Sequence, residues 1–399
     1  MLNTGNQQVD VGYGRAGRYV KQPAGYRAFL PAPLPPDPPL LADHELMSLL
    51  AVAERSLGRL DGATGVLPNP DLFVAMYVRK EALLSSQIEG TQASLVDVLE
   101  YEADPSHWAN SGGVLEVVNH IAAMDLGLNR LQEFPLSLRL IREIHERLMQ
   151  GVRGSEREPG EFRRSQNWIG PGGCMLADAT HVPPPVHEMH EALHNLELFL
   201  HREPELPLLL KCGLVHSQFE SIHPFLDGNG RIGRLLITFM LCHAQALSRP
   251  LLYLSYYFKR HRQEYYARLQ MVREQGDWES WIKFFLRSVI EVSEQAASTA
   301  KQITNMQVEH RQMVQTQFRT PSALRLLDHL YHQPVVSIHG AAAALDVKFP
   351  TARRIVQGME GLGLLREITG KQHYRLFAYG PYLDLLREGT DPEPPVAAA

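Results

Sequence analysis

The sequence predicts a mainly α-helical protein: a helix bundle with one small β-hairpin, followed by a C-terminal winged helix-turn-helix domain. Three observations predict this fold. Residues 43–296 mostly carry apolar residues at three- and four-residue spacing, the period of an amphipathic helix. One stretch rich in glycine and proline, 153–185, interrupts that period with short extended runs. After Pro321, three short helical patterns precede a strand–turn–strand, the order of a winged helix-turn-helix.

The bulk composition is that of an intracellular globular protein of two or three domains. The chain has 399 residues and a net charge of −5, which disfavours whole-protein binding to nucleic acid or to an anionic membrane. Its three cysteines are scattered and show neither metal spacing nor a disulfide framework, so a reducing, cytoplasmic compartment is expected. The polar N-terminus lacks a signal-peptide pattern and no apolar run approaches 18 residues, so no membrane span is expected.

The chain divides into five expected regions. Residues 1–110 form an N-terminal region whose first 40 residues look irregular and end in a proline-rich strap, Leu30–Leu40. A core, 111–298, is followed by a polar linker helix, 299–320, a winged helix, 321–385, and a disordered tail, 386–399. Helices are expected at about 44–60, 71–88, 91–101, 113–132, 136–151, 186–202, 206–219, 231–247, 260–274 and 277–296.

One stretch of twelve residues, His223–Arg234, concentrates groups suited to nucleotide chemistry. His223 is a base with an unperturbed pKa near neutrality, and Asp227 is a hard oxygen ligand suited to Mg²⁺. Gly228 and Gly230 can adopt the positive φ values that let backbone N–H groups converge on an anion. The apolar run that follows predicts a helix whose N-terminus adds positive dipole charge. Together these groups predict a phosphate site with a built-in general base.

This stretch resembles the signature of the Fic family, H-x-F-x-[DE]-G-N-G-R-x-x-R. Every defined position matches: His223, Phe225, Asp227, Gly228, Asn229, Gly230, Arg231 and Arg234. The resemblance implies a Fic-type helix bundle and the transfer of a nucleoside monophosphate, usually AMP from ATP with Mg²⁺, onto a protein hydroxyl. It covers most of the chain, from about residue 20 to 380.

The resemblance also implies a role for each signature residue. His223 would take the proton of the target hydroxyl, and Asp227 would hold Mg²⁺ between phosphates. Arg234 would grip the γ-phosphate. The nucleotide-binding residues implied are Gly228, Asn229, Gly230, Arg231 and Arg234, with Tyr256 and Tyr257 beside the adenine pocket.

A second motif concerns regulation. Ser85–Gly90 fits the family's inhibitory pattern [ST]-x-x-x-E-[GN], which implies that Ser85 and Glu89 belong to an inhibitory helix. A Glu89 carboxylate beside Arg234 would form a charge-assisted pair and occupy the place of the γ-phosphate. Local sequence alone equally predicts a plain helix C-terminus with Gly90 as its cap.

The expected hairpin around Arg163–Pro171 corresponds to the family's flap, an exposed edge that pairs with the backbone of the target. The residues expected to contact a target there are Arg163, Arg164, Trp168 and Ile169. Plain loop and core roles are an equally good interpretation of these side chains.

Two further functions stay open. One is the reverse reaction, the hydrolytic removal of AMP from a modified protein, with Glu89 positioning water. The other is a DNA-binding regulator, in which Lys348, Arg353 and Arg354 begin the recognition helix of the winged unit. That unit carries a net charge of only +2, so residues 321–385 would dock protein as readily as DNA. The sequence does not name the target protein and leaves a homodimer open.

Overall fold

The computed structural model describes residues 14–65, 70–103, 112–202, 206–372 and 374–392. The helices are α1 His44–Gly65, α2 Pro70–Ile88, α3 Leu95–Ala103, α4 Gly112–Arg130, α5 Leu138–Leu148, α6 Val186–His201, α7 Leu208–Ile222, α8 Asn229–His243, α9 Ser255–Arg260, α10 Arg262–Gln275, α11 Trp278–Gln317, α12 Pro321–His332, α13 Ile338–Leu345, α14 Phe349–Gly361 and α15 Gly380–Leu386. The strands are β1 Gly17–Lys21, β2 Arg27–Pro31, β3 Val335–Ser337, β4 Leu365–Glu367 and β5 Leu376–Tyr379. The mainly helical prediction is confirmed.

The centre of the core consists of α7 and α8, which pack on each other. Both helices are buried on nearly every side, as expected for helices that are apolar around most of their circumference. Other helices surround this pair: α2 contacts α4, α8 and α9, and α1 packs along α11. The loop between α7 and α8 is the signature stretch, so the core holds this loop from both ends. Within the described residues, no helix is both long and apolar enough to cross a membrane.

The N-terminal region is more regular than predicted. Residues 17–31 form an antiparallel hairpin in which Gly17 pairs with Pro31 and Lys21 with Arg27. An ion pair between Arg15 and Glu279 (2.9 Å) fixes the hairpin to α11. The expectation of irregular structure was wrong here because the proline content of the next segment obscured a short alternating pattern. Residues 1–13 lie outside the described residues.

The predicted flap hairpin is much shorter than expected. Its only strand-like pairing among the described residues is one bridge, in which Ile169 and His181 exchange hydrogen bonds of 2.8 and 3.0 Å. Gly170 and Pro171 follow immediately, and proline has no N–H to continue a ladder. A short 3-10 turn, Leu176–Asp178, fills the rest of the loop. The flap is also joined to β2, since Phe29 N–H donates to Val182 O (2.8 Å).

The predicted linker helix at 299–320 is not a separate element. It is the second half of α11, a continuous helix of 40 residues. Ala300, Ile303 and Val314 lie on a buried face of that half. The polar composition misled the sequence interpretation because the buried stripe is narrow.

The C-terminal unit contains α12–α15 and an antiparallel sheet of strand order β3–β5–β4. Its assignment as a winged helix stays a prediction. The unit packs on the core, with α12 against α2 and β3 against α3. His310 of α11 shares a hydrogen bond with the Tyr379 hydroxyl (2.6 Å). Part of the tail that was expected to be disordered is packed against the protein, since Thr390 is only 1% exposed. Residues 393–399 lie outside the described residues.

Candidate active site

The loop between α7 and α8 reverses direction at two left-handed residues. His223 has φ 47° and ψ 62°, an unfavourable conformation for a residue with a side chain, and Gly228 has φ 76°. Two side chains hold the carbonyl of His223: Arg163 Nε donates at 3.1 Å and Asn167 Nδ2 at 3.2 Å. A strained backbone persists only where its surroundings fix it, so these donors define the position of the candidate base.

Asn229 closes the same loop from inside. Its Oδ1 accepts from Phe225 N–H and its Nδ2 donates to Phe225 O, both at 2.8 Å. The Asn229 side chain thus both accepts and donates a hydrogen bond within the loop, and a contact of Asn229 with phosphate stays a prediction. Asn229 is a positioning residue.

His145 of α5 is a residue that the sequence interpretation missed. Its ring stacks on Phe225 at 3.7 Å between centroids. Gly160 N–H donates to Nδ1 (2.9 Å), so Nε2 carries the proton and donates to Asp227 O (3.1 Å). Its only sequence signal is a histidine on the apolar face of α5. The ring joins the flap region to the signature loop.

The start of α8 is suited to bind an anion, and we refer to it as the anion site. The first helix-type bond is from Ile232 N–H to Gly228 O (3.0 Å), which leaves the preceding N–H groups at the helix start available to a ligand. Arg231 is 3% exposed, and its Nε and NH1 have no hydrogen-bond partner within the described residues. A buried guanidinium with open donors fits the oxygens of a phosphate.

Glu89 lies over this anion site. Arg234 donates to Glu89 Oε1 (2.7 Å), to Ser85 Oγ (2.8 Å) and to Ser85 O (2.9 Å). A Cβ atom on Gly230 would collide with the Glu89 carboxylate, so that carboxylate sits directly on the first turn of α8. Burial would raise the pKa of Glu89, but the charge of Arg234 outweighs it and lowers the pKa. Glu89 is therefore an anion placed at the first turn of α8.

The candidate base is neutral. Burial, reinforced by the charges of Arg273 and Arg163, lowers the pKa of His223 to about 3. At neutral pH its ring therefore has a free lone pair with which to accept a proton.

Asp227 is suited to hold a metal ion together with a ligand. Its Oδ1 accepts from Gly228 N–H (2.6 Å), and Arg231 and Arg157 lie 3.5 and 3.8 Å from its oxygens. No cluster of three or more potential metal ligands occurs in the part of the chain that the structure describes. One carboxylate beside a phosphate site is sufficient for Mg²⁺, which takes its other ligands from phosphates and water.

The structure separates the four predicted flap residues. The side chain of Arg163 is fully buried and also donates to Pro184 O (2.5 Å), so its predicted contact with a target is wrong. Arg164 is exposed and Trp168 is 42% exposed, with its Nε1 bonded to Cys174 O (3.0 Å). Ile169 forms the bridge. A target contact by these three residues stays a prediction.

The two predicted adenine neighbours face elsewhere. Tyr256 packs on Gly389, and Tyr257 lies against Phe284 and His261. A contact of these two tyrosines with a nucleotide stays a prediction.

Two tyrosines of α10, which the sequence interpretation missed, are affected by the charges of the site. Burial and then the charge of Glu89 raise the pKa of Tyr266, and burial and then the charge of Glu220 raise the pKa of Tyr265. The sequence contains two adjacent tyrosine pairs, Tyr256–Tyr257 and Tyr265–Tyr266. Periodicity alone does not tell which pair faces the site.

Buried histidines should make this protein sensitive to acid. Burial lowers the pKa of His120, His145, His181, His216 and His223. Each would take up a proton near pH 6.5 when unfolded but not when folded, so stability is complete above pH 6.5 and is lost as the pH falls. The loss grows as the pH falls further below 6.5. Burial raises the pKa of Glu81 and Glu220 to about 7, so these two carboxyl groups gain stability as the pH falls. Two such groups offset only part of the loss from five histidines.

We therefore expect the free energy of unfolding, measured with urea at fixed ionic strength, to fall between pH 7 and pH 5. A constant or rising value over this range would contradict the neutral state of these histidines.

Comparison with known proteins supports the assignment that the geometry suggests. The Fic/DOC family N-terminal model matches residues 47–129, and the Fic/DOC family model matches residues 135–241. Protein adenylyltransferase Fic of Drosophila grimshawi is 30% identical over 207 residues, which are 49% of this chain and 38% of that protein. The protein of the same name from Aedes aegypti is 27% identical over 272 residues, 65% of this chain and 49% of that protein. The chain thus spans less than half the length of these curated relatives.

A solved structure shares the fold. The crystal structure of a Fic family protein from Desulfovibrio desulfuricans G20 matches with a TM-score of 0.56 and 20% identity, covering 86% of this chain and 97% of that chain.

The fold and site define a helical protein in which one of its own carboxylates, Glu89, lies on a loop and helix start suited to bind an anion. Two matching domain models and the complete signature identify its family. The chain belongs to the Fic/DOC family.

Proposed function

We propose that this protein is an adenylyltransferase that moves AMP from ATP onto Ser, Thr or Tyr hydroxyls of proteins, including itself. One observation carries the proposal: a neutral histidine, His223, lies on the same loop as the N-terminus of α8. At that helix start, Arg231 has guanidinium donors without a hydrogen-bond partner among the described residues. The relatives in Drosophila grimshawi and Aedes aegypti are named as protein adenylyltransferases, which supports the same reaction class.

In this reaction the hydroxyl oxygen of the target attacks the α-phosphorus of ATP, and the bond to pyrophosphate breaks. His223 accepts the hydroxyl proton during the attack. The first turn of α8 and Arg231 stabilise the negative charge on the phosphate oxygens. Arg163, Asn167 and Asn229 keep the loop in place, so the base and the anion site hold a fixed separation.

Asp227 would hold Mg²⁺, whose chemical contribution is to neutralise the polyphosphate charge. The Asp227 backbone carbonyl is fixed by His145 (3.1 Å). This contact holds the backbone that carries the carboxylate.

Self-inhibition through Glu89 is part of the proposal. The Nε and NH2 groups of Arg234 are bonded to Ser85 and Glu89, so the Glu89 carboxylate takes a donor and the charge that a γ-phosphate would otherwise use. If ATP binds while Arg234 is paired with Glu89, its γ-phosphate lacks the contact with Arg234. The α-phosphorus would then be turned away from the line of attack.

The direct test is incubation of the purified chain with ATP labelled on the α-phosphate, with Mg²⁺, alone and with a cell lysate. Label on protein supports transfer. Label released as AMP from a previously modified protein, with none incorporated by any variant, would replace transfer by the removal reaction.

Replacing Asp227 with alanine should slow transfer by on the order of 10²-fold or more, because several kcal/mol of charge neutralisation is lost. The measurement is the initial rate across a series of Mg²⁺ concentrations. The control is Asp328→Ala, which removes an exposed carboxylate of α12. That carboxylate pairs with Arg311 of α11. An unchanged rate and Mg²⁺ requirement in Asp227→Ala would exclude this residue as the metal ligand.

A further inference from the structure

The segment after α15 lies on the catalytic core. Three hydrogen bonds from core side chains hold its backbone carbonyls: Gln87 Nε2 donates to Thr390 O (2.9 Å), and Lys259 Nζ donates to Gly389 O (3.3 Å) and Asp391 O (2.6 Å). The Gln87 and Lys259 side chains are themselves bonded at 2.8 Å. Both are buried, so these contacts belong to a built site and not to an exposed surface.

One wall of this site is the ring of Tyr256. Gly389 has φ 73° and lies so close that a Cβ atom would overlap the ring. The Tyr256 hydroxyl donates to Glu388 Oε1 (3.4 Å). Lys80 lies 5.3 Å from the ring centroid, and the negative charge of Glu388 partly offsets the cost of burying its ammonium group. The site therefore fits an acidic residue followed by glycine.

The site adjoins the inhibitory motif. Gln87 follows Ser85, which also contacts Arg234, by two residues within α2, so the Ser85 and Gln87 side chains project roughly 200° apart around the helix. Arg234 binds this end from one side, and Lys259 and Thr390 bind it from the other. Gln87 Nε2 also donates to Ala93 O (2.9 Å), which fixes the turn after Glu89.

We propose that Gln87, Tyr256 and Lys259 form a binding site for the chain's own segment Glu388–Asp391, and that its occupancy holds Glu89 on Arg234. The binding site stands on the contacts alone, whereas its effect on catalysis rests on the proposed function. Departure of the segment removes two carbonyl acceptors from Lys259 and one from Gln87. The last turn of α2 is then held from one side only, and Glu89 leaves Arg234 more often.

The test displaces the segment by a change within it. Gly389→Val introduces a branched side chain at a positive φ and against Tyr256, so the segment cannot stay bound. Gly370→Val is the matched control: Gly370 belongs to the same C-terminal unit and has φ 63°, but a Cβ there meets nothing within 4 Å. A second variant, Lys259→Met, removes the donor from the core side.

Two readouts are measured. Amide hydrogen exchange of residues 85–93 should accelerate in Gly389→Val and Lys259→Met, but not in Gly370→Val. Self-modification by ATP should rise roughly tenfold in the first two variants, as expected for loss of a few hydrogen bonds, and should not rise further when Glu89→Gly is also present.

Unchanged exchange in both variants would overturn the binding site. Faster exchange without faster modification, in a protein that Glu89→Gly does activate, would overturn the coupling to Glu89. If Glu89→Gly itself shows no transfer, the proposed function fails instead, and the exchange result still decides the binding site.

Discussion

Replacing His223 with alanine should reduce AMP transfer by about 10²- to 10⁴-fold, the usual contribution of a general base. The comparison should use the Glu89→Gly background, so that self-inhibition does not mask the loss. ATP binding should change by no more than a few-fold, because the anion site at α8 and Arg231 are intact.

The measurements are initial transfer rates and the ATP dissociation constant by calorimetry. His187→Ala is the control, since it removes an exposed histidine at the start of α6. Transfer by His223→Ala at more than about one percent of the parent rate would exclude His223 as the base.

Replacing Glu89 with glycine should raise self-modification roughly 10- to 100-fold. A hydrogen-bonded charged contact such as Glu89–Arg234 is worth about 1.5–3 kcal/mol, and this bias against the productive ATP pose disappears with the carboxylate. Backbone disruption should be small because α2 ends at Ile88. Glu89→Gln should give an intermediate rate, since it keeps the size of the side chain and loses the charge.

The double variant Glu89→Gly, Arg234→Ala separates two explanations for faster transfer. One is that ATP adopts the productive pose on Arg234, and the other is that loss of the Glu89 side chain simply opens the site. The double variant should be slow again, because the γ-phosphate then has no Arg234 to bind. The measurement is the rate at which labelled AMP is incorporated by the original chain, Glu89→Gly, Glu89→Gln and the double variant. A single Glu89→Gly variant no faster than the original chain would remove Glu89 from the regulatory role.

The sequence was most informative where chemistry is local. The twelve residues from His223 to Arg234 and the motif ending at Gly90 predict an anion site and a competing carboxylate, and the contacts of Glu89 with Arg234 agree with that pairing. Each motif carries its own turn and charge, so no distant neighbour is needed to recognise it.

The sequence was least informative about the direction of side chains. Asn229 and Arg163 carry polar groups that suit a ligand or a target, but both turn inward and bond to loop carbonyls and amides. The choice between Tyr256 and Tyr266 depends on the rotation of short helices, which composition does not determine. Segment Glu388–Asp391 was read as disordered because its partners bind backbone carbonyls, which leave no pattern in a sequence.

The continuity of α11 has a consequence for how this protein unfolds. At 1.5 Å per residue, its 40 residues extend for about 60 Å. Its first half packs against α1 and its second half against α12 and α15, so this one helix lies along the hydrophobic core that joins the two regions. Melting of either region would leave an apolar stripe of the same helix in water. The two regions should therefore unfold in a single cooperative transition, and a cut anywhere within 299–317 should destabilise both halves.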